Sequence, residues 1–175
     1  MPKIRPPAVA GQFYPDSVLR LQDFLNEFLV SPSPCDTAPV TALIVPHAGL
    51  RYSGETAAIA FSVVDPARWR HIVLIGPTHH RWFHGIAVAP HDFFRTPLGE
   101  VPVDTAVCNA LVAVDTLFEM NEDAHVPEHA LEVELPFIQH LMPECPIIPL
   151  VCGDLTPDEI RKAAAALEAV LPPET

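Results

Sequence analysis

TALIVPHAGLRY (residues 41–52) and HIVLIGPTHH (residues 71–80) share one form: a short apolar, β-branched run, a Pro or Gly stop, and then histidine. Residues 40–45 read as a buried strand, with His47 just past its end. Residues 72–75 read as a second strand, with His79 and His80 following the Gly76-Pro77-Thr78 turn. Apolar runs of this length, bounded by turn residues and separated by helical patterns, mark parallel strands of an α/β sheet. In such sheets ligands sit in the crevice outside the carboxyl ends of the strands. Imidazole delivered to that edge by two strands makes a candidate metal or acid–base site.

The 175 residues suit one domain over residues 1–175, long enough to bury a core. A formal charge of −12 argues against nucleic acid, whose affinity rests on Lys and Arg neutralising phosphates. It argues equally against an anionic membrane surface. No apolar run approaches the roughly 18 residues a bilayer span needs. The opening MPKIRPPAVAGQFYP has prolines where a signal peptide needs an apolar core, so the cytoplasm is the expected location. Cys35, Cys108, Cys145 and Cys152 show no C-x-x-C spacing, and buried thiols are the expectation for those in apolar surroundings. Twenty-one prolines punctuate strand ends and helix starts rather than forming a tract.

In order, residues 8–15 read as an irregular opening anchored by Phe13 and Tyr14, then a helix over 18–30 capped by Asp16 or Ser17. Residues 31–39 read as a proline-rich surface connection, and 55–64 as a helix of small residues. A third strand is expected over 85–89 and a loop or hairpin over 91–102. Asp104 caps a helix to about Val114, and a short strand lies over 117–120. A helix over 129–142 should kink or break at Pro136. A strand over 146–151 and a final helix over 157–171, capped by Thr156, complete the pattern. The chain stops where an α/β pattern would supply its next strand, which reads as a truncated chain or one that needs a partner.

His47 and His79 are the metal candidates, because imidazole suits zinc, copper, iron or nickel and a pair leaves open positions for substrate. Loop histidines bonded to carbonyls are the alternative. In an extended backbone His80 points away from His79, toward substrate or the metal's surroundings. His125 and His129 have i, i+4 spacing, but Pro127 between them weakens a helical pair. His129 and Glu128 are candidates for proton transfer in the same crevice; acids that only complement a helix dipole are the alternative. His71 and His140 read as surface or packing residues, while His84 and His91 are left open. No nucleophile elbow, P-loop or dinucleotide fingerprint is present.

Five motifs, AGQFYP (10–15), PHAG with YSG (46–54), GPTHH (76–80), RTPLG (95–99) and EHALEVELPF (128–137), resemble those of the Memo family in the right order over essentially the whole chain. The resemblance implies an α/β fold with a mostly parallel or mixed central sheet flanked by helices, related to class III extradiol dioxygenases. It implies that His47 and His79 match the family's metal-site histidines, with His129 and Glu128 matching its acid–histidine pair near the same pocket. It implies Fe(II) or another divalent transition metal, and a functional link to AMMECR-type and radical SAM proteins. The family continues into a Ser-Ser-Asp-Phe-x-His turn and a later cysteine at the metal. The chain ends where that strand begins, and none of its four cysteines matches. The expected activity is an iron-dependent redox reaction on an unknown small substrate. The alternatives are a peptide- or protein-binding module using the same pocket, and an inactive fragment.

Overall fold

The computed structural model describes residues 1–29 and 40–172. Its seven strands are β1 (Ile4–Arg5), β2 (Ile72–Pro77), β3 (Ile86–Val88), β4 (Phe93–Thr96), β5 (Gly99–Pro102), β6 (Phe118–Met120) and β7 (Ile147–Cys152). The helices are α1 (Val18–Phe28), α2 (Leu50–Phe61), α3 (Thr105–Val114), α4 (Glu122–His125), α5 (Leu135–Leu141) and α6 (Pro157–Val170). One sheet has the order β2-β7-β3-β6, and a smaller one the order β1-β4-β5. The larger sheet is mixed: β2 runs parallel to β7 and β3 parallel to β6, but β3 is antiparallel to β7. This is the α/β architecture with flanking helices that the sequence implies.

Strand β7 is central and buried over Ile147–Val151, as a strand covered on both faces should be. Pro149 is tolerated there because its carbonyl side faces Ala89, one residue past the last β3 ladder pair, Val88 with Leu150. Phe94, Phe118, Phe137, Leu135, Ile147 and Leu150 are fully buried, each stabilising the fold by about 1.5–3 kcal/mol relative to exposure. Helix α1 packs on α2 and α5, and α3 packs on α6. Asp104 caps α3 through Val107 N, and Thr156 with Glu159 forms a capping box on α6. None of the described helices is long and apolar enough to cross a membrane.

Four sequence expectations change. Residues 40–45 are not a strand: Leu43 and Val45 pack against the core, Ile44 is fully exposed, and the segment has no ladder partner among the described residues. Helix α2 starts at Leu50, so Tyr52, Ser53 and Gly54 lie inside it rather than before it. The helix over 129–142 is instead a single 3-10 turn at Glu132–Glu134 followed by α5, with Pro136 in its first turn, where a missing N–H costs nothing. Residues 79 and 80 form a bend, so their side chains do not alternate as in a strand. Cys108 and Cys145 are buried thiols and Cys152 is half-buried, while Val30, Cys35 and the expected connection lie outside the described residues.

Candidate metal centre

Three segments converge at the carboxyl end of β2. The first is the β2 terminus itself, which runs through Thr78 (its N–H bonded to Cys152 O, 3.1 Å) into His79 and His80. The second is the turn before α2, which carries His47. That turn is moored to the opening segment, where Leu50 N donates to Phe13 O at 2.7 Å and a Cβ at Gly49 would lie 3.2 Å from the same oxygen. The third is the stretch Glu128-His129-Ala130. It packs so closely on β2 that a Cβ on Gly76 would fall 2.8 Å from Leu131 Cδ2 and 3.1 Å from Ala130 Cβ.

The histidine rings gather here. Ring centroids lie 5.2 Å apart for His47 and His79, 4.4 Å for His79 and His129, and 6.1 Å for His47 and His129. His80 stands edge-on to His129 at 5.9 Å, so the bend brings both neighbouring histidines to His129. Phe13 closes one side with its ring 4.6 Å from that of His129.

Glu128 organises the group from below. Its Oε2 accepts from His79 N at 2.6 Å, and its Oε1 accepts from His129 N at 2.8 Å and Ala130 N at 2.9 Å. His79 Nδ1 lies 2.9 Å from Oε1 and His129 Nδ1 3.4 Å from it. An ionised carboxylate only accepts, so His79 Nδ1 carries a proton, and in the neutral ring that a metal needs the lone pair is on Nε2. Burial pushes the Glu128 carboxyl up, but the hydrogen bonds from Ala130 N, His79 N and the His79 ring outweigh it and hold it below the usual carboxylate range. Burial, then the neighbouring His79, lowers His47. His129 is lowered too, first by burial and despite Glu128. Both effects favour the neutral imidazole that a metal needs.

Ligand atoms of His79, Glu128 and His129 lie within 4.8 Å of one another, a spacing that suits a metal ion. Glu128 suits the supporting role better than the ligand role, because binding a metal would displace backbone donors it already satisfies. Two imidazoles sharing an ion at about 2.0–2.1 Å in a roughly tetrahedral angle put their centroids about 5 Å apart. The His47–His79 rings stand at 5.2 Å, although His47 is not among the residues whose ligand atoms gather within 4.8 Å.

The other histidines are elsewhere. His125 is buried with Nε2 3.0 Å from Ala87 O, and burial lowers it to about 4, so it does not pair with His129 toward a metal. His71 sits beside Asp104, His84 beside Glu159, and buried His91 beside Glu122. Sequence reasoning missed Arg5. It is fully buried, pairs with Glu132 at 2.6 Å, and donates to the carbonyls of His125 and Glu128. No local pattern marked it, since its partners lie more than 110 residues away.

A family model described as Memo-like protein matches residues 5–174. The chain belongs to the Memo family. Memo relatives include a MEMO1 family protein of Thermoplasma acidophilum, 31% identical over 170 residues, which are 97% of this chain and 63% of the relative. A MEMO1 family protein of Ignicoccus hospitalis is 35% identical over 169 residues, 90% of this chain and 59% of the relative. One of Archaeoglobus fulgidus is 39% identical over 150 residues, 86% of this chain and 54% of the relative. The chain thus spans about three fifths of the length of the Memo relatives it matches. Within the Memo match lie all four clustered histidines, Glu128 and Arg5.

Proposed function

We propose that the histidine cluster holds a divalent transition metal, Fe(II) in the first instance, and that the protein is a metal-dependent redox enzyme of the extradiol type acting on a small molecule. The observation that carries the reading is the orientation of His79. Glu128 Oε1 lies 2.9 Å from its Nδ1, which leaves Nε2 as the nitrogen free for a metal, and the rings of His47 and His129 stand 5.2 and 4.4 Å from its own. A carboxylate–histidine couple of this kind raises ligand basicity and fixes the tautomer at metal centres. When bound, the ion supplies Lewis-acid and one-electron chemistry to a neighbouring substrate. His47 and His79 are its protein ligands. His129, half-buried with its Nδ1 facing Glu128, holds or releases a proton beside the substrate, and His80 contacts the substrate at the rim.

The test is anaerobic Fe(II) titration of the full-length protein and of a His47→Ala/His79→Ala variant, followed by oxygen-uptake assays with small reductants and phenols. The expected result is saturable Fe(II) binding that disappears in the double variant while its circular dichroism stays unchanged. Unchanged iron stoichiometry in the variant overturns the assignment. Metal binding without iron-dependent oxygen uptake overturns the redox part alone, and leaves a metal-bearing binding module.

A further inference from the structure

The chain carries 10 Lys and Arg against 22 Asp and Glu, so cations are scarce. Several are committed: Lys3 to Glu122, Arg5 to Glu132, Arg95 to Glu100 and Arg161 to Asp158. Arg20 on α1 and Arg51 on α2, like Arg68, Arg70, Arg81 and Lys162, have no ion-pair partner among the described residues. Arg20 and Arg51 line one cleft of about 350 Å³, within the size range of small-molecule sites. The cleft also takes in the AGQFYP segment, with Phe13, Phe24 and Leu50 as apolar wall and Asp16 as the one carboxylate in its lining. Gly11 adopts φ +77°, a conformation that favours glycine, and a Cβ there would stand 3.3 Å from Asp16 Oδ2, which would have to give way slightly. Phe13 separates this cleft from His129, its ring standing 4.6 Å from the imidazole.

We propose that this cleft binds a small organic carboxylate, its anionic end held by Arg20 and Arg51 and its apolar body resting on Phe13, Phe24 and Leu50. A guanidinium presents paired N–H donors that match a carboxylate's two oxygens, and it stacks on aromatic faces. Two guanidiniums and one carboxylate leave a formal charge of +1 in the lining, which matches a monoanion rather than a phosphate dianion. The inference is independent of the metal assignment, because it uses none of the clustered histidines.

The test uses benzoate as probe, with benzamide as its neutral isostere and inorganic phosphate as the competing anion, in calorimetric titrations of the full-length protein. Arg20→Gln, Arg51→Gln and the double variant are compared; both side chains are exposed, so the fold should survive, and circular dichroism checks it. The expected result is saturable benzoate binding, absent for benzamide, weakened about tenfold or more by each single substitution and abolished by the double one. It should persist in chelator and in the His47→Ala/His79→Ala variant, so that failure of the metal reading leaves it standing. Benzoate binding that survives the double Arg variant overturns the proposal. So does tighter binding of phosphate than of benzoate, which would assign the cleft to a phosphate, and so does the absence of saturable benzoate binding.

Discussion

Arg5 and Glu132, 127 positions apart in the chain, form a fully buried ion pair of 2.6 Å. Glu132 also accepts from Ala8 N, Val9 N and the Tyr14 hydroxyl, while Arg5 also donates to the carbonyls of the 125–128 turn and of Pro6. Tyr14 is held protonated, its pKa raised first by burial and then by Glu132. The pair therefore binds the opening segment, which carries Phe13, to the turn that carries Glu128 and His129.

Removing one partner of a buried pair leaves the other charge stranded, at a cost of about 3–5 kcal/mol. Glu132→Gln should destabilise the protein by that order in urea unfolding, and should weaken metal binding by loosening the Glu128 turn. A loss below about 1 kcal/mol would mean that the pair is not buried in solution.

Glu128→Gln keeps the shape of the side chain and removes the charge that orients His79. Metal affinity should fall about 10–100-fold, the usual effect of losing a ligand's hydrogen-bonded support. Zn(II) titration by calorimetry reads this directly, and an unchanged affinity would show that Glu128 does not act through His79.

Glu134 is buried, its Oε2 has no hydrogen-bond partner, and burial raises its pKa from 4.5 to about 8. The folded state therefore holds a proton that the unfolded chain releases between about pH 4.5 and 8. Its contribution to stability is complete below the lower value and is lost as the pH rises through the upper one. Glu134→Gln should flatten that decline and make the variant the more stable protein at pH 8, by up to a few kcal/mol. Identical pH profiles of chemical denaturation for the two proteins would exclude a buried neutral Glu134.

A Cβ at Gly153 would lie 2.2 Å from Phe83 O, which is backbone and cannot swing aside. Gly153→Ala should cost about 1–3 kcal/mol or more through overpacking. Thermal unfolding checks it, and a melting temperature within a degree of the parent's would show that the 83–85 backbone gives way freely.

What the sequence made legible was local. Asp104 before α3 and Thr156 with Glu159 before α6 are signals written within four residues, and each cap formed. The convergence of His47, His79, His80 and His129 was legible because turn residues flank them and the Memo motifs place them. What was missed at Arg5 and at residues 128–132 involves partners far along the chain. The stretch expected to be helical from residue 129 turns first through a 3-10 segment at Glu132–Glu134, while the side chains of Glu128 and Glu132 reach His79, Arg5 and Ala8. Arg5 sits in a proline-rich opening, and its buried partners, Glu132 and the carbonyls of His125 and Glu128, lie far along the chain. Residues 40–45 carry the composition of a strand, but a strand also needs a neighbour to exchange hydrogen bonds with.

The spacing between the arm bearing His79 and the arm bearing His129 is set by a hydrogen atom, since a methyl at position 76 would meet Leu131 and Ala130. A lineage could lose this centre while keeping every histidine in it, through one substitution at a residue with no chemistry of its own. Counting histidines in a distant relative is therefore a poor guide to whether its centre works; the residue at position 76 has to be read beside them.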